Sequence, residues 1–106
     1  MSTAPSLEPD FTEPALLTNA RRALDVATVI AAWDLDSFIL VEATQYEVTA
    51  QTDDESQANA LARALCKPDQ EPEVRDETEK NGDRHLWLTV GSVRVICHQP
   101  AKQVAA

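Results

Sequence analysis

The stretch Arg84-His85-Leu86-Trp87-Leu88-Thr89-Val90-Gly91-Ser92-Val93-Arg94-Val95-Ile96-Cys97-His98 decides the fold. Two apolar, β-branched runs flank Gly91-Ser92. Glycine first in a two-residue loop suits a type II′ turn, because glycine accepts the positive φ required there. A hairpin closed on that turn pairs Val90 with Val93, Leu88 with Val95 and Leu86 with Cys97. Side chains alternate across a strand, so these six share one apolar face, which belongs in the core. The opposite face holds His85 against His98, Trp87 against Ile96 and Thr89 against Arg94. Cys97 and His98 point to opposite faces, which argues against a Cys-His metal site. The histidines offer two imidazoles, whereas a protein zinc site takes three or four protein ligands, and no third stands out. The pair therefore reads as a cross-strand contact beside Trp87.

Working back from the hairpin, residues 69–83 are the most charged segment. Asn81-Gly82 marks a turn. A strict two-residue loop would place Arg75 and Glu77 on the apolar face, which is costly. A three-residue loop with a bulge at Gly82 instead sets Val74 opposite Leu88, on the core face. That register predicts a charged strand over Glu73–Thr78 at the sheet edge, where charge resists edge-to-edge aggregation.

The first half of the chain predicts a helix from Thr12 or Glu13, with Pro14 tolerated in its first turn. Leu17, Ala20, Leu24, Ala27 and Ala31 form a stripe at helical spacing, read as the buried face. Val26, Val29, Ile30 and Trp33 widen it, so this helix has more apolar surface than one sheet face needs. Asp34-Leu35-Asp36-Ser37 ends the helix, and the two aspartates read as turn residues rather than a carboxylate pair. Phe38–Val41 forms a short strand. Tyr46, Val48 and Ala50 alternate with polar residues as a second. Thr52 and Glu55 have the spacing of a capping box and open a second helix. Its buried stripe is Ala58, Leu61, Ala62 and Leu65, and Pro68 stops it. The cluster Asp53-Asp54-Glu55 is accounted for by capping and the helix dipole, without a metal.

The expected fold is therefore α+β. It is a two-layer sandwich of order α-β-β-α-β-β-β, with two helices on one face of an antiparallel sheet. Residues 13–99 form the single domain. Residues 1–12 and 100–106 are expected to be tails.

Composition limits function. The net charge is −9, and residues 84–106 contain no acid. An acidic balance disfavours direct nucleic-acid binding, which runs on phosphate neutralisation. Only two glycines are present, against any glycine-rich phosphate loop. No apolar run is long enough to cross a membrane, and the first residues lack signal-peptide character, so a cytoplasmic protein is expected. Both cysteines, Cys66 and Cys97, are expected to be free thiols. No nucleophile elbow or zinc-protease motif occurs, so no enzyme, cofactor or metal is expected.

The remaining reading is a small acidic non-catalytic domain that binds a protein partner or itself. The candidate contact residues are Trp87, Ile96, Arg94, His85, His98 and Trp33. Two alternatives are a DNA-mimic inhibitor of a nucleic-acid-binding protein and a small acidic dimeric secretion-type chaperone, whose element order this chain resembles. The segment Ala58-Asn59-Ala60-Leu61-Ala62-Arg63-Ala64-Leu65 resembles small accessory proteins of actinobacteria and their phages. That resemblance implies a mobile-element accessory or inhibitor role toward a host protein, and no particular activity.

Overall fold

Helix α1 (Ala15–Ala32) leads into strands β1 (Phe38–Ala43) and β2 (Val48–Thr52). Helix α2 (Glu55–Leu65) follows, and then strands β3 (Glu73–Thr78), β4 (Arg84–Val90) and β5 (Val93–Gln99). The computed structural model describes residues 13–101. The expected tail 1–12 and residues 102–106 of the second tail lie outside the described residues. Pro100 and Ala101 do not hang free: the Ala101 amide donates to Asp83 Oδ1 at 2.8 Å. Among the described residues, no helix is long and apolar enough to cross a membrane.

The five strands form one sheet of order β1-β2-β5-β4-β3. The β4–β5 hairpin has the register expected from its turn: Val90 faces Val93, Leu88 faces Val95 and Leu86 faces Cys97. Gly91 has φ 61° and Ser92 has no positive φ, as a type II′ turn requires. The β3–β4 loop spans Lys80–Gly82, with Gly82 at φ 93° and Val74 opposite Leu88. A Cβ at Gly82 would sit 3.0 Å from Ala101 Cβ, so the left-handed backbone and the close approach both favour glycine.

The expectation of a wholly antiparallel sheet is corrected. Strand β2 runs parallel to β5, from Val48↔Val93 to Thr52↔Cys97. The physical reason is the crossover. Helix α2 carries the chain over the sheet to the far edge, and the two hairpin turns then bring β5 back beside β2. Local turn chemistry sets the hairpins and says nothing about this non-local pair.

The core lies between the helices and the sheet face bearing Val48, Ala50, Leu86, Leu88, Val90, Val93, Val95 and Cys97. Helix α1 packs on β1 and β2. Helix α2 packs on β2, β4 and β5, and it also touches α1. Neither helix reaches β3, so Val74 is 63% exposed although it pairs with buried Leu88. Its expected place in the core is thereby corrected: correct pairing does not bury a residue beyond the last helix.

Helix α1 is also rotated from expectation. Its inner face is Asn19, Ala23, Val26, Val29 and Ile30. The expected stripe of Leu17, Ala20, Leu24, Ala27 and Ala31 is exposed throughout, with Leu24 at 68%. From Val26 onward the inner face buries two valines and an isoleucine where the expected stripe offers only Ala27 and Ala31, so this rotation removes more apolar area from water in that half of the helix. Asn19 adds a tether, since its Nδ2 donates to the Thr44 carbonyl at 2.8 Å.

Three boundaries shift for local reasons. Pro14 sits at the N-cap of α1, so the helix starts at Ala15 rather than at Thr12 or Glu13. Tyr46 lies in the β1–β2 turn, not in a strand, because Thr44 Oγ1 accepts from the amides of Tyr46 and Glu47. The N-cap of α2 is Asp54, whose carboxylate accepts from the Gln57 amide at 3.1 Å, so Thr52 is not the cap. Thr52 is instead buried, and its hydroxyl accepts from the Asp54 amide.

Candidate protein-binding face

Strand alternation sends every second side chain to the sheet face opposite the core. The registers align one residue per strand into a row across it: Leu40, Gln51, Ile96, Trp87 and Arg75. A neighbouring row runs Glu42, Thr49, Arg94, Thr89 and Glu73. Trp87 is therefore flanked by Ile96 on one side and Arg75 on the other. The Arg75 guanidinium carbon lies 5.1 Å from the Trp87 ring centroid, within cation–π range. The same guanidinium is held by Glu77, with Nε 2.7 Å from Oε2.

His85 stacks on Trp87, with centroids 5.6 Å apart, and on His98, at 4.5 Å. His85 Nε2 reaches Glu79 Oε2 at 2.9 Å. His98 Nε2 is buried without a hydrogen-bond partner, and the nearest acid, Asp83 Oδ2, stands 3.8 Å away. Three rings thus form one continuous stack across β4 and β5. Among the described residues, no three histidine, cysteine or acidic side chains are grouped to hold a metal ion. Beside the stack is a shallow hollow of about 330 Å³, lined by Glu73, Val74, Arg75, Trp87, Thr89 and Arg94. Arg94 Nη2 lies 3.3 Å from Glu47 Oε1. The hollow thus has an aromatic wall and two guanidinium groups.

Of the expected contact residues, the sheet brings together Trp87, Ile96, Arg94, His85 and His98. Trp33 does not join them. It caps the C-terminal end of α1 and is 59% exposed there. The same helix end explains Asp34. Its φ of 56° is left-handed, its amide donates to Ala31 O, and the Leu35 amide donates to Ile30 O, which together form a Schellman motif. Asp36 accepts from Gln57 Nε2 at 2.8 Å, and Gln57 Oε1 accepts from the Ser37 amide and hydroxyl.

Sequence reasoning missed Arg84. It continues the inward alternation of Leu86, Leu88 and Val90 past the end of the core. There it faces Asp76 on β3 and Glu55 in the first turn of α2. Its Nε and Nη2 donate to the two Asp76 oxygens at 3.0 and 2.7 Å. This fork holds the Asp76 carboxyl below its ordinary value of 3.8 and raises the Arg84 pKa. The available signal was a lone arginine in phase with the core, directly after the acidic segment 69–83. Asp83 is also held low, chiefly by the Ala101 amide. Burial pushes the Cys97 thiol up, as suits a core residue rather than a reactive one.

Comparison of the chain with protein-family models, curated proteins and solved structures finds no match in any of the three.

Proposed function

We propose that this chain is a non-catalytic protein-binding domain, a two-layer α+β unit that offers the sheet face opposite its core to another protein. The observation that carries the reading is the row Leu40–Gln51–Ile96–Trp87–Arg75, with its stacked His85 and His98. Tryptophan and arginine dominate binding hot spots because they pair large apolar area with a polar handle. Here Trp87 sits on an inner strand and Arg75, on the edge strand, is held over its ring by Glu77, so little side-chain freedom is lost on docking. The partner proposed is a host protein, the class that the resemblance of the α2 segment to accessory proteins of actinobacteria and their phages implies.

The DNA-mimic alternative is less well supported, because part of the acid is already matched within the chain. Arg84 takes Glu55 and Asp76, Arg75 takes Glu77 and Arg94 takes Glu47. Fewer carboxylates are left free to copy a phosphate backbone.

The test is quantitative affinity capture from the native cell, comparing the full chain with Trp87→Ser and with the helix variant Leu24→Ser. A partner held by the sheet face is retained in high salt. Trp87→Ser weakens it by roughly 10- to 100-fold, and Leu24→Ser leaves it bound. Equal capture by Trp87→Ser, or release by modest salt, would overturn the reading.

A further inference from the structure

Helix α1 carries a second surface, separate from the sheet face and independent of the reading above. Leu17, Ala20, Leu24, Ala27 and Ala31 are spaced by alternate steps of three and four residues and are all exposed. That is the a/d pattern of a coiled-coil seam, with period 3.5. It is a geometric specification for a partner helix rather than a scatter of surface leucines. Leu16, 53% exposed, flanks it.

We propose that this seam pairs α1 with α1 of a second copy of the chain, antiparallel. In the antiparallel arrangement, a positions face d positions. One register sets Leu17 against Ala27 of the second copy, and Ala20 against its Leu24, with the reciprocal layers following by symmetry. Each of these layers then joins one leucine to one alanine, so large fills small along the seam. A parallel pair would instead stack leucine on leucine and alanine on alanine, leaving gaps at the alanine layers.

Charge supports the same choice. Most of the net charge of −9 lies outside α1, which balances Arg21 and Arg22 against Asp25 and the preceding Glu13. With Glu13 counted, the helix is neutral, so two copies of it meet without net repulsion. The acids Asp34 and Asp36 follow the C-terminal end of α1, while Arg21 and Arg22 lie in its middle. Antiparallel pairing keeps the two sets of C-terminal acids apart. Parallel pairing would bring those acids together. In this register the 18-residue helices overlap over residues 15–29, about 22 Å, so the contact lies at the small end of specific interfaces, on the order of 1,000 Å² in total.

The test is the mass of the full chain in solution by sedimentation, from micromolar to millimolar concentration. The expected result is a monomer–dimer equilibrium that strengthens as salt screens the two acidic bodies. Leu24→Glu should return the monomer mass at all concentrations with an unchanged far-UV circular dichroism spectrum. Orientation is read by disulfide capture. A mixture of Leu17→Cys and Ala27→Cys chains should cross-link to each other, and neither variant should cross-link to itself. A monomer at millimolar concentration, a dimer that survives Leu24→Glu, a dimer weakened by salt, or self-cross-linking of Leu17→Cys would each overturn the proposal. Because Trp87 is remote from this seam, Trp87→Ser leaves the dimer intact, so this failure and that of the sheet-face reading are separable.

Discussion

Asn19, on the buried face of α1, donates from Nδ2 to the carbonyl oxygen of Thr44 in the β1–β2 turn at 2.8 Å. Its Oδ1 accepts from Arg22 at 3.0 Å, so both ends of the amide are used. This polar contact sets the rotation of α1 against the sheet. Asn19→Ala removes the donor to Thr44 and should lower the unfolding free energy by about 1–3 kcal/mol. Urea denaturation followed by circular dichroism measures it, and an unchanged midpoint would show that the apolar residues alone orient the helix.

Arg84 links β3 to α2 through Asp76 and Glu55, and this makes stability depend on acid pH. The Asp76 carboxyl is held below 3.8 in the folded chain. The folded state therefore binds fewer protons than the unfolded state around that value, and stability falls as pH drops. The contribution is present in full above 3.8 and is lost as pH falls through the lower, folded value. Arg84→Gln should destabilise the domain at neutral pH and flatten the acid limb of the profile, with the two proteins converging at the lowest pH. Urea midpoints from pH 7 down to pH 2 test this, and a constant offset between the two profiles would contradict it.

Pairing and burial come apart at the β3 edge. Leu61 of α2 is fully buried, and Leu61→Ala should cost about 2–5 kcal/mol. Val74 pairs with a buried leucine yet faces water, and Val74→Ala should change stability by no more than about 0.5 kcal/mol. Equal losses in the two variants would place a covering element over β3.

Asp34 occupies a left-handed position at the end of α1, where its charge also opposes the helix dipole. Asp34→Gly removes both penalties and should raise stability by about 1 kcal/mol, after the extra backbone entropy of glycine is deducted. The thermal midpoint of the variant should rise by several degrees. A fall would show that the carboxylate makes a contact that outweighs the strain.

Local signals made the C-terminal hairpins legible. Gly91-Ser92 and Asn81-Gly82 each restrict the loop, and strand alternation then assigns every residue from Glu73 to His98 to a face. Five of the six expected contact residues follow from that assignment alone. The sixth, Trp33, was read from a helix whose apolar residues cover most of its circumference. No single stripe stood out there, and the deciding quantities were the bulk of Val26, Val29 and Ile30 and a hydrogen bond from Asn19. The parallel β2–β5 pair had no local signature. The Arg84 fork was hidden for a related reason, since its partners Glu55 and Asp76 come from separate elements.

The parallel pairing of β2 with β5 bears on how the chain is made. Everything synthesised before Val93 lacks the strand that joins the N-terminal β1–β2 hairpin to the β3–β4 hairpin. Until β5 emerges, Val48 and Ala50 have no neighbour on one side, and α2 has no complete sheet to cover. The order of contacts is thus opposite to the order of synthesis for the central pair. Completing the sheet on the ribosome waits for β5, and the unfinished chain keeps the β2 and β4 edges open until β5 pairs with both.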